Sequence, residues 1–402
     1  MTFDATSTQF RHDPYPTYAS LRKNEPVPLL SETSLGIGAA FLVTRYDDVV
    51  TVLKDARFSN DYRKIGAHMN PRWWMPKVLS TFQSSMILVD DPDHRRLRDL
   101  VHKAFTPKRL QDLNGRIEII TEELLDSMAK KPTVDLIHDF ALPIPLTVIS
   151  DMMGVPQKDR LKFHKWMGTF LEISAGSKLQ MLGKIVNMLQ MYRFFKGLIK
   201  LRRQDPQDDL VTALVQAEQD GDRLNEDELV AMIFILLLAG HETTVNLIGN
   251  GTLALLENPD QLRKLQQHPE LMDSAVEELL RFTNPVEQPA PRYALEDVEL
   301  SGQKIPKGSR VLVGIASANR DETAFPNADK LDIERTPNKH VAFGLGIHYC
   351  LGAPLARMEG KIALQKLLAR YPNMQLGVTS DAVQWRTSMA VRGLKALPVR
   401  LG

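Results

Sequence analysis

Apolar positions recur at helical spacing along most of the chain, and strand-like patterns are confined to regions near its two ends. Asp13 to Asn24 reads as a short helix opened by Asp-Pro. Strands follow at Val27–Leu30 and Ala40–Thr44, then a second helix at Asp47–Leu53. No period holds from Phe58 to about Val89, and a connection that long usually serves a site. From Pro92 to about Glu257 helical spacing dominates, with breaks near Pro107, Pro132, Pro143 and Pro145, Pro156, Gly176 and Pro206. Gln180–Arg202 is amphipathic and rich in methionine, which suits core packing and also a flexible cover over an apolar ligand. Asn225–Glu257 is the longest helical candidate, and its apolar middle predicts a path through the centre of the protein. Helix signals return at Pro269–Phe282, and strands are expected at Val298–Leu300, Lys304–Ile305 and Arg310–Gly314. A last helix runs about Cys350–Arg370, and short strands close the chain. With no Gly/Ser-rich linker and no repeat period, the pattern predicts one large, mainly α domain with small β-sheets over residues 1–402.

Composition narrows the functional classes. Of 402 residues, 43% are hydrophobic and 25% charged, which excludes wholesale disorder. Lys+Arg 50 against Asp+Glu 49 leaves a net charge of +1, and a generally cationic nucleic-acid binder is not expected. The start MTFDATSTQFRHDPYP lacks the basic and apolar segments of a signal peptide. The strongly apolar stretch Leu229–Gly240 falls short of the roughly 20 residues that span a bilayer. A soluble, cytoplasmic protein is the expectation.

Cys350 is the single cysteine, so disulfides, typical iron–sulfur clusters and multi-thiolate zinc sites are out of reach. It lies in FGLGIHYCLG, Phe343 to Gly352, where a helix pattern begins at or just after it. Glycines there let backbone turn tightly or approach a flat ligand, and a helix start favours the thiolate. Such a sulfur is either an inert buried thiol or the ligand of one metal already held by other donors. The glycine and histidine spacing favours the second, and an iron porphyrin meets that description. The decapeptide resembles the cysteine-loop signature F-G-x-G-x-H-x-C-x-G of the cytochrome P450 family, the haem-thiolate monooxygenases. All its fixed positions agree in register. Further motifs follow in the family's order, and the resemblance covers essentially the whole chain, closest to the soluble bacterial branch. It implies the family's fold, a helix-rich lobe and a smaller β-rich lobe. It also implies haem b (iron protoporphyrin IX) with Cys350 as the proximal ligand of its iron. Phe343, Gly344 and Gly352 would line the cofactor.

Three more constellations carry the resemblance. In AGHETT, Ala239 and Gly240 stand four and three residues before Thr243, on its face of the long helix, leaving a small space beside its hydroxyl. Thr243 can also bond back to the preceding turn and loosen the helix, and Glu242 is costly in an apolar helix unless paired, neutral or functional. The resemblance implies that Glu242 and Thr243 are the acid–alcohol pair of the proton route to dioxygen. Glu278 and Arg281 match the family's E-x-x-R pair, with Arg335 as third member, a structural brace behind the cysteine loop. His94 and Arg98, spaced i and i+4, can reach one anion. With Arg292 and His348 they match the family's donors to the two haem propionates. His340 is read as structural.

The implied reaction inserts one atom of dioxygen into an unactivated bond and reduces the other to water, hydroxylating or epoxidising a hydrophobic molecule. A polyketide or macrolide, a steroid, a terpene and a fatty acid all remain open, and secondary metabolism is the expected setting. The chain has no flavin fingerprint, so electrons from NAD(P)H would arrive through a ferredoxin and its reductase. Basic residues such as Arg95, Lys103, Lys108 and Arg109 are either solvated surface or a docking face for that acidic partner. Pocket candidates are Trp73, Trp74, Met86, Ala239, Gly240, Val286 and Met389. A monomer without membrane anchor is expected. A peroxide-driven peroxygenase and a non-catalytic haem sensor are the alternatives. The intact Glu242–Thr243 pair argues against the peroxygenase, and the lack of a visible output domain argues against the sensor.

Overall fold

The computed structural model describes residues 7–31, 38–66, 85–104, 107–160, 162, 166, 178–219, 222–386 and 388–402. Two compact units emerge. One comprises Met1–Ile65, Ile117–Ile144 and Glu242–Gly402, the other Gly66–Arg116 and Pro145–His241.

The first unit holds a five-stranded sheet. Its spatial order is Leu29–Leu30, Ala40–Val43, Arg310–Val313, Arg292–Ala294 and Phe58–Ser59. Ala40–Val43 and Arg310–Val313 run parallel, with Phe41 opposite Val311, and the other neighbours are antiparallel. Alternation along these strands sends side chains to opposite faces. Phe41, Val43, Val311 and Val313 join a core with Val49, Val52 and Leu53 of the helix Tyr46–Lys54. Leu42 and Leu312 join a separate core with Phe10, Tyr18 and Leu21.

Helix α1 (Asp93–Ala104) lies in the second unit. Helix α2 (Glu226–Glu257) opens with a reciprocal cap. The Glu228 N–H donates to Asn225 Oδ1 at 2.9 Å, and the Asn225 N–H donates to Glu228 Oε2 at 2.9 Å. By length and composition α2 could cross a membrane, but 72% of its most apolar stretch is buried inside the fold, so its apolar side chains form core. Helices α3 (Met272–Thr283) and α4 (Ala353–Arg370) complete the scaffold of the site.

Several boundaries differ from the sequence expectation. The break expected near prolines 143 and 145 falls at the start of a helix, Pro143–Met152, whose first turn has no use for their missing N–H groups. The helix expected from Pro269 begins at Met272, after a 3₁₀ turn. The last helix begins at Ala353 with Gly352 as its cap, so Cys350 precedes it. Arg292–Ala294 and the pair Glu218–Gln219 with Asp222–Arg223 are strands too short to show a period. Within the expected irregular stretch, Phe58–Ser59 is a strand, while Tyr62–Ile65 and Met86–Leu88 are 3₁₀ turns. Trp73 and Trp74 lie outside the described residues.

Candidate active site

The cysteine loop is shaped by two glycines. Gly344 and Gly346 have φ of +67° and +72°, a region that L side chains rarely adopt. A Cβ on Gly346 would stand 2.6 Å from the Leu53 carbonyl oxygen, so a methyl group there collides with backbone. The loop closes where the Cys350 N–H donates to the Phe343 carbonyl at 3.0 Å. His348 sits in the intervening 3₁₀ turn, Gly346–His348, half-buried like Phe343, Gly344, Cys350 and Gly352.

Two ionic clusters hold this loop from behind. Glu278 and Arg281, both fully buried, form a two-pronged pair at 2.8 Å on each arm. Arg335 adds bonds to Glu278 at 3.1 and 3.2 Å, as the E-x-x-R reading expects. Arg281 also donates to the Asn319 carbonyl at 2.7 Å, and Asn319 Oδ1 accepts the Val341 N–H at 2.8 Å, two residues ahead of Phe343. The second cluster was not legible in the sequence. Arg357 of α4 grips Glu277 at 2.6 and 2.8 Å and stacks 4.5 Å over the Phe343 ring. His340 Nε2 stands 3.1 Å from the same carboxylate, and its Nδ1 accepts the Ala342 N–H, so His340 is structural. Burial alone would raise Glu277, but hydrogen bonds from Arg357 and His340 overcome it and hold the carboxyl down to about 2.

Helix α2 has one open face. From Leu229 to Leu255 its side chains are mostly buried, yet Leu236, Leu238, Ala239, Gly240 and Thr243 are accessible. All but Leu238 are spaced i, i+3, i+4 and i+7, a stripe along one side. Glu242 points elsewhere, 4% exposed, and Arg386 Nη1 donates to its Oε1 at 3.1 Å. Burial pushes the Glu242 carboxyl above the ordinary range, and Arg386 opposes that rise. Arg386 is the partner the sequence did not reveal, lying far along the chain. Its backbone N–H is fixed to the Gly393 carbonyl at 2.9 Å, and its Nε donates to the Leu394 carbonyl at 3.2 Å.

The remaining candidates fall on both units. Arg292 is buried on the sheet strand and donates to the Ala290 carbonyl at 3.3 Å. His94 is buried on α1, 3.5 Å from Asp91, and Arg98 is half-buried one turn later. Met86 is buried. Val286 pairs with Val391 across an isolated bridge, which the Glu287 N–H extends by donating to the Ala390 carbonyl at 2.9 Å. Glu287 itself is buried and pairs with Arg11 at 3.1 Å and Arg392 at 3.6 Å. Met389 is half-buried and packs partly on the Phe10–Tyr18 core. Arg95 is exposed, whereas the side chains of Lys103, Lys108 and Arg109 lie outside the described residues.

This donor set fits a haem. A lone thiol in a glycine-shaped loop suits iron, and Arg292 and His348 of the same unit suit carboxylates, as by their chemistry do His94 and Arg98 of the other unit. Among the described residues, nothing stands within 4 Å of where a Gly352 Cβ would lie.

Comparison with known proteins agrees with this chemistry. Residues 34–376 match the family Cytochrome P450, and the chain belongs to it. It is a haem-thiolate monooxygenase with haem b as cofactor, acting on a hydrophobic small molecule with electrons from redox partners. The chain is 43% identical over 412 residues to the polyketide biosynthesis cytochrome P450 PksS of Bacillus subtilis (strain 168), covering 100% of this chain and 99% of that protein. It is 40% identical to the 6-deoxyerythronolide B hydroxylase of Saccharopolyspora erythraea, over 99% of this chain and 98% of that one. The solved PksS structure superposes with a TM-score of 0.91 at 42% identity, covering 100% of both chains. Myxobacterial CYP267B1 in complex with myristic acid gives 0.91 at 38% identity, covering 99% of this chain and 98% of that one.

Proposed function

We propose that the chain works as one catalytic domain that hydroxylates or epoxidises a polyketide-type substrate. The observation that carries this reading is the open stripe on α2, where accessible Ala239, Gly240 and Thr243 stand in a mostly buried helix. Small residues beside a hydroxyl leave room for a diatomic molecule and part of an apolar substrate. Bound haem b supplies the oxidising power for inserting oxygen. Cys350 Sγ would ligate its iron, and the N–H groups of His94, Arg98, Arg292 and His348 would bind its carboxylates. Phe343, Gly344 and Gly352 leave the loop thin enough for a flat ring.

Glu242 and Thr243 carry protons inward. Arg386 is 30% exposed while Glu242 is 5% exposed at the side chain, so their pair joins a buried carboxyl to solvent. The carboxyl takes up a proton at Oε1 when it leaves Arg386, turns toward the stripe and hands the proton on toward Thr243 Oγ1, whose own hydroxyl proton moves inward in turn. Val286 and Met389 are proposed apolar contacts for the substrate on their unit, and Met86 on the other. Two relatives act, by name, in polyketide biosynthesis and on 6-deoxyerythronolide B, which supports the substrate class. A ferredoxin-type donor, a cytoplasmic setting and a monomeric state complete the proposal.

The test is Thr243→Ala, assayed with NAD(P)H, a ferredoxin and its reductase. Product per electron should fall about tenfold, with NAD(P)H consumption persisting as released peroxide. Unchanged product per electron would overturn the proton role. Peroxide-only turnover in the parent enzyme would favour a peroxygenase instead.

A further inference from the structure

The turn that carries Met389 is held by a side chain from the start of the chain. Arg11 lies in the short helix Thr8–His12 and is 6% exposed. Its Nη1 donates to Glu287 Oε2 at 3.1 Å and also to the Ser388 carbonyl. Arg392, equally buried, answers from the other side. Its Nη1 donates to the Arg11 carbonyl at 2.8 Å and its Nη2 to the His12 carbonyl at 2.7 Å. Carbonyls at a helix end have no intrahelical donor, so these bonds seat the short helix on Arg392. The Arg392 guanidinium also stands 3.6 Å from Glu287 Oε1 and stacks 3.7 Å over the Trp385 ring. Two guanidinium groups thus enclose one carboxylate that is 1% exposed, all within the first unit.

This clasp acts on both neighbours of Met389. The Ser388 carbonyl before it is taken by Arg11, and the Ser388 hydroxyl accepts the Val391 N–H at 3.3 Å. The Ala390 carbonyl after it accepts the N–H groups of Glu287 and Gln288 at 2.9 and 3.2 Å. One step further, the Arg392 N–H donates to the Pro285 carbonyl at 3.1 Å. Main-chain bonds therefore tie Ala390 and Arg392 to the segment carrying Val286, whereas Ser388 is tied to the same segment through Arg11 and the Glu287 carboxylate. The Glu287 carbonyl accepts the Ala316 N–H at 3.3 Å, and the Arg392 carbonyl accepts from Asn250 Nδ2 of α2 at 2.8 Å, so both anchors are fixed to the scaffold.

We propose that Arg11 is a positioning residue that sets substrate specificity: by holding Glu287 and Ser388 with one guanidinium nitrogen, it fixes the turn of Met389 against the segment of Val286. The spacing of two apolar substrate contacts then depends on a residue that touches no substrate. Charge and burial make the clasp stiff, because no member can leave without stranding a charge away from water. The proposal rests on Val286 and Met389 meeting the substrate, and its test separates the two claims.

Arg11→Met suits the test, since it keeps an apolar stem and leaves Glu287 with Arg392. Glu287→Ala would instead strand two buried guanidinium groups. Hydrogen exchange of the substrate-free holoenzyme reads the clasp alone. In Arg11→Met, peptides covering residues 285–288 and 388–392 should exchange about tenfold faster, the worth of a hydrogen bond to a charged group, with no change around Val341. Unchanged exchange, or equal acceleration at Val341, would overturn the proposal. Should Arg11→Met fail to fold, Ser7→Ala takes its place. Ser7 Oγ caps the same helix by accepting the Phe10 N–H at 3.2 Å, and its loss should loosen the same peptides.

Specificity is read with myristic acid as probe, at matched haem content. In Arg11→Met the acid should shift the haem band with a Kd about fivefold higher, KM should rise with kcat unchanged, and hydroxylation should spread over more positions of the chain. A brace without influence on the pocket would lower the yield of holoenzyme and leave Kd and product positions as they were, which would refute the proposal. Met389→Ala should weaken binding by itself, and adding Arg11→Met to it should weaken binding no further. Additive losses would show that Arg11 acts elsewhere. Parent-like binding and product positions in Met389→Ala would remove the contact reading, and the specificity role with it, while leaving the exchange result standing.

Discussion

At the scale of single residues, the site sets two carboxyls against different surroundings. Glu242 is buried, tied to a partly exposed guanidinium and pushed up by burial, while Glu277 is gripped by Arg357 and His340 and held down to about 2. Neighbours that push titrations apart are how one site separates a proton carrier from a fixed group. Arg386 opposes the rise that burial imposes on Glu242. Arg386→Gln should therefore move the limb of the kcat–pH profile that belongs to Glu242 to higher pH, and Glu242→Gln should abolish that limb. A profile indifferent to Arg386→Gln would show that the pair does not govern proton entry.

At the scale of elements, the loop and its braces were unequally readable. Phe343 to Gly352 was legible because its glycines and cysteine fall at fixed spacings within ten residues, and the structure shows positive φ at Gly344 and Gly346. Gly346→Ala should lower haem retention and stability by about 2 kcal/mol, since it meets both an unfavourable φ and the Leu53 carbonyl. Haem retained at the parent level after denaturant challenge would contradict that. Glu278 and Arg281 were legible as an i, i+3 pair, but Glu277, Arg357 and Arg386 were not. Their partners come from other elements, and a lone charge in a helix pattern looks the same whether it is solvated or buried. Breaking the fully buried pair with Arg281→Ala leaves Glu278 uncompensated and should cost about 3–5 kcal/mol, read as lost soluble holoprotein. A normally loaded Arg281→Ala would mean that Arg335 suffices.

At the scale of the molecule, long helices were the easiest elements to foresee, because α2 shows its apolar period over many turns. Two- and three-residue strands such as Arg292–Ala294 exist only through pairing with distant segments, so no local pattern announced them. The same contrast separates cofactor from substrate. Iron ligation is proposed for one short loop, whereas the proposed substrate contacts, Met86, Val286 and Met389, are single apolar residues scattered along the chain, and apolar character defines a class of ligand and not its identity. Lipophilic ligands that displace water from the iron should shift the haem absorption band, and polyketide-type compounds should do so at lower concentration than fatty acids.

The most direct measurement of the whole account is the absorption spectrum of the reduced, carbon monoxide-treated protein, recorded for the parent and for Cys350→Ser. The parent should show the red-shifted band of a thiolate-ligated haem, and the variant should lack it and lose oxidative turnover. An unaltered band with full turnover in Cys350→Ser would contradict the ligation of iron by this sulfur.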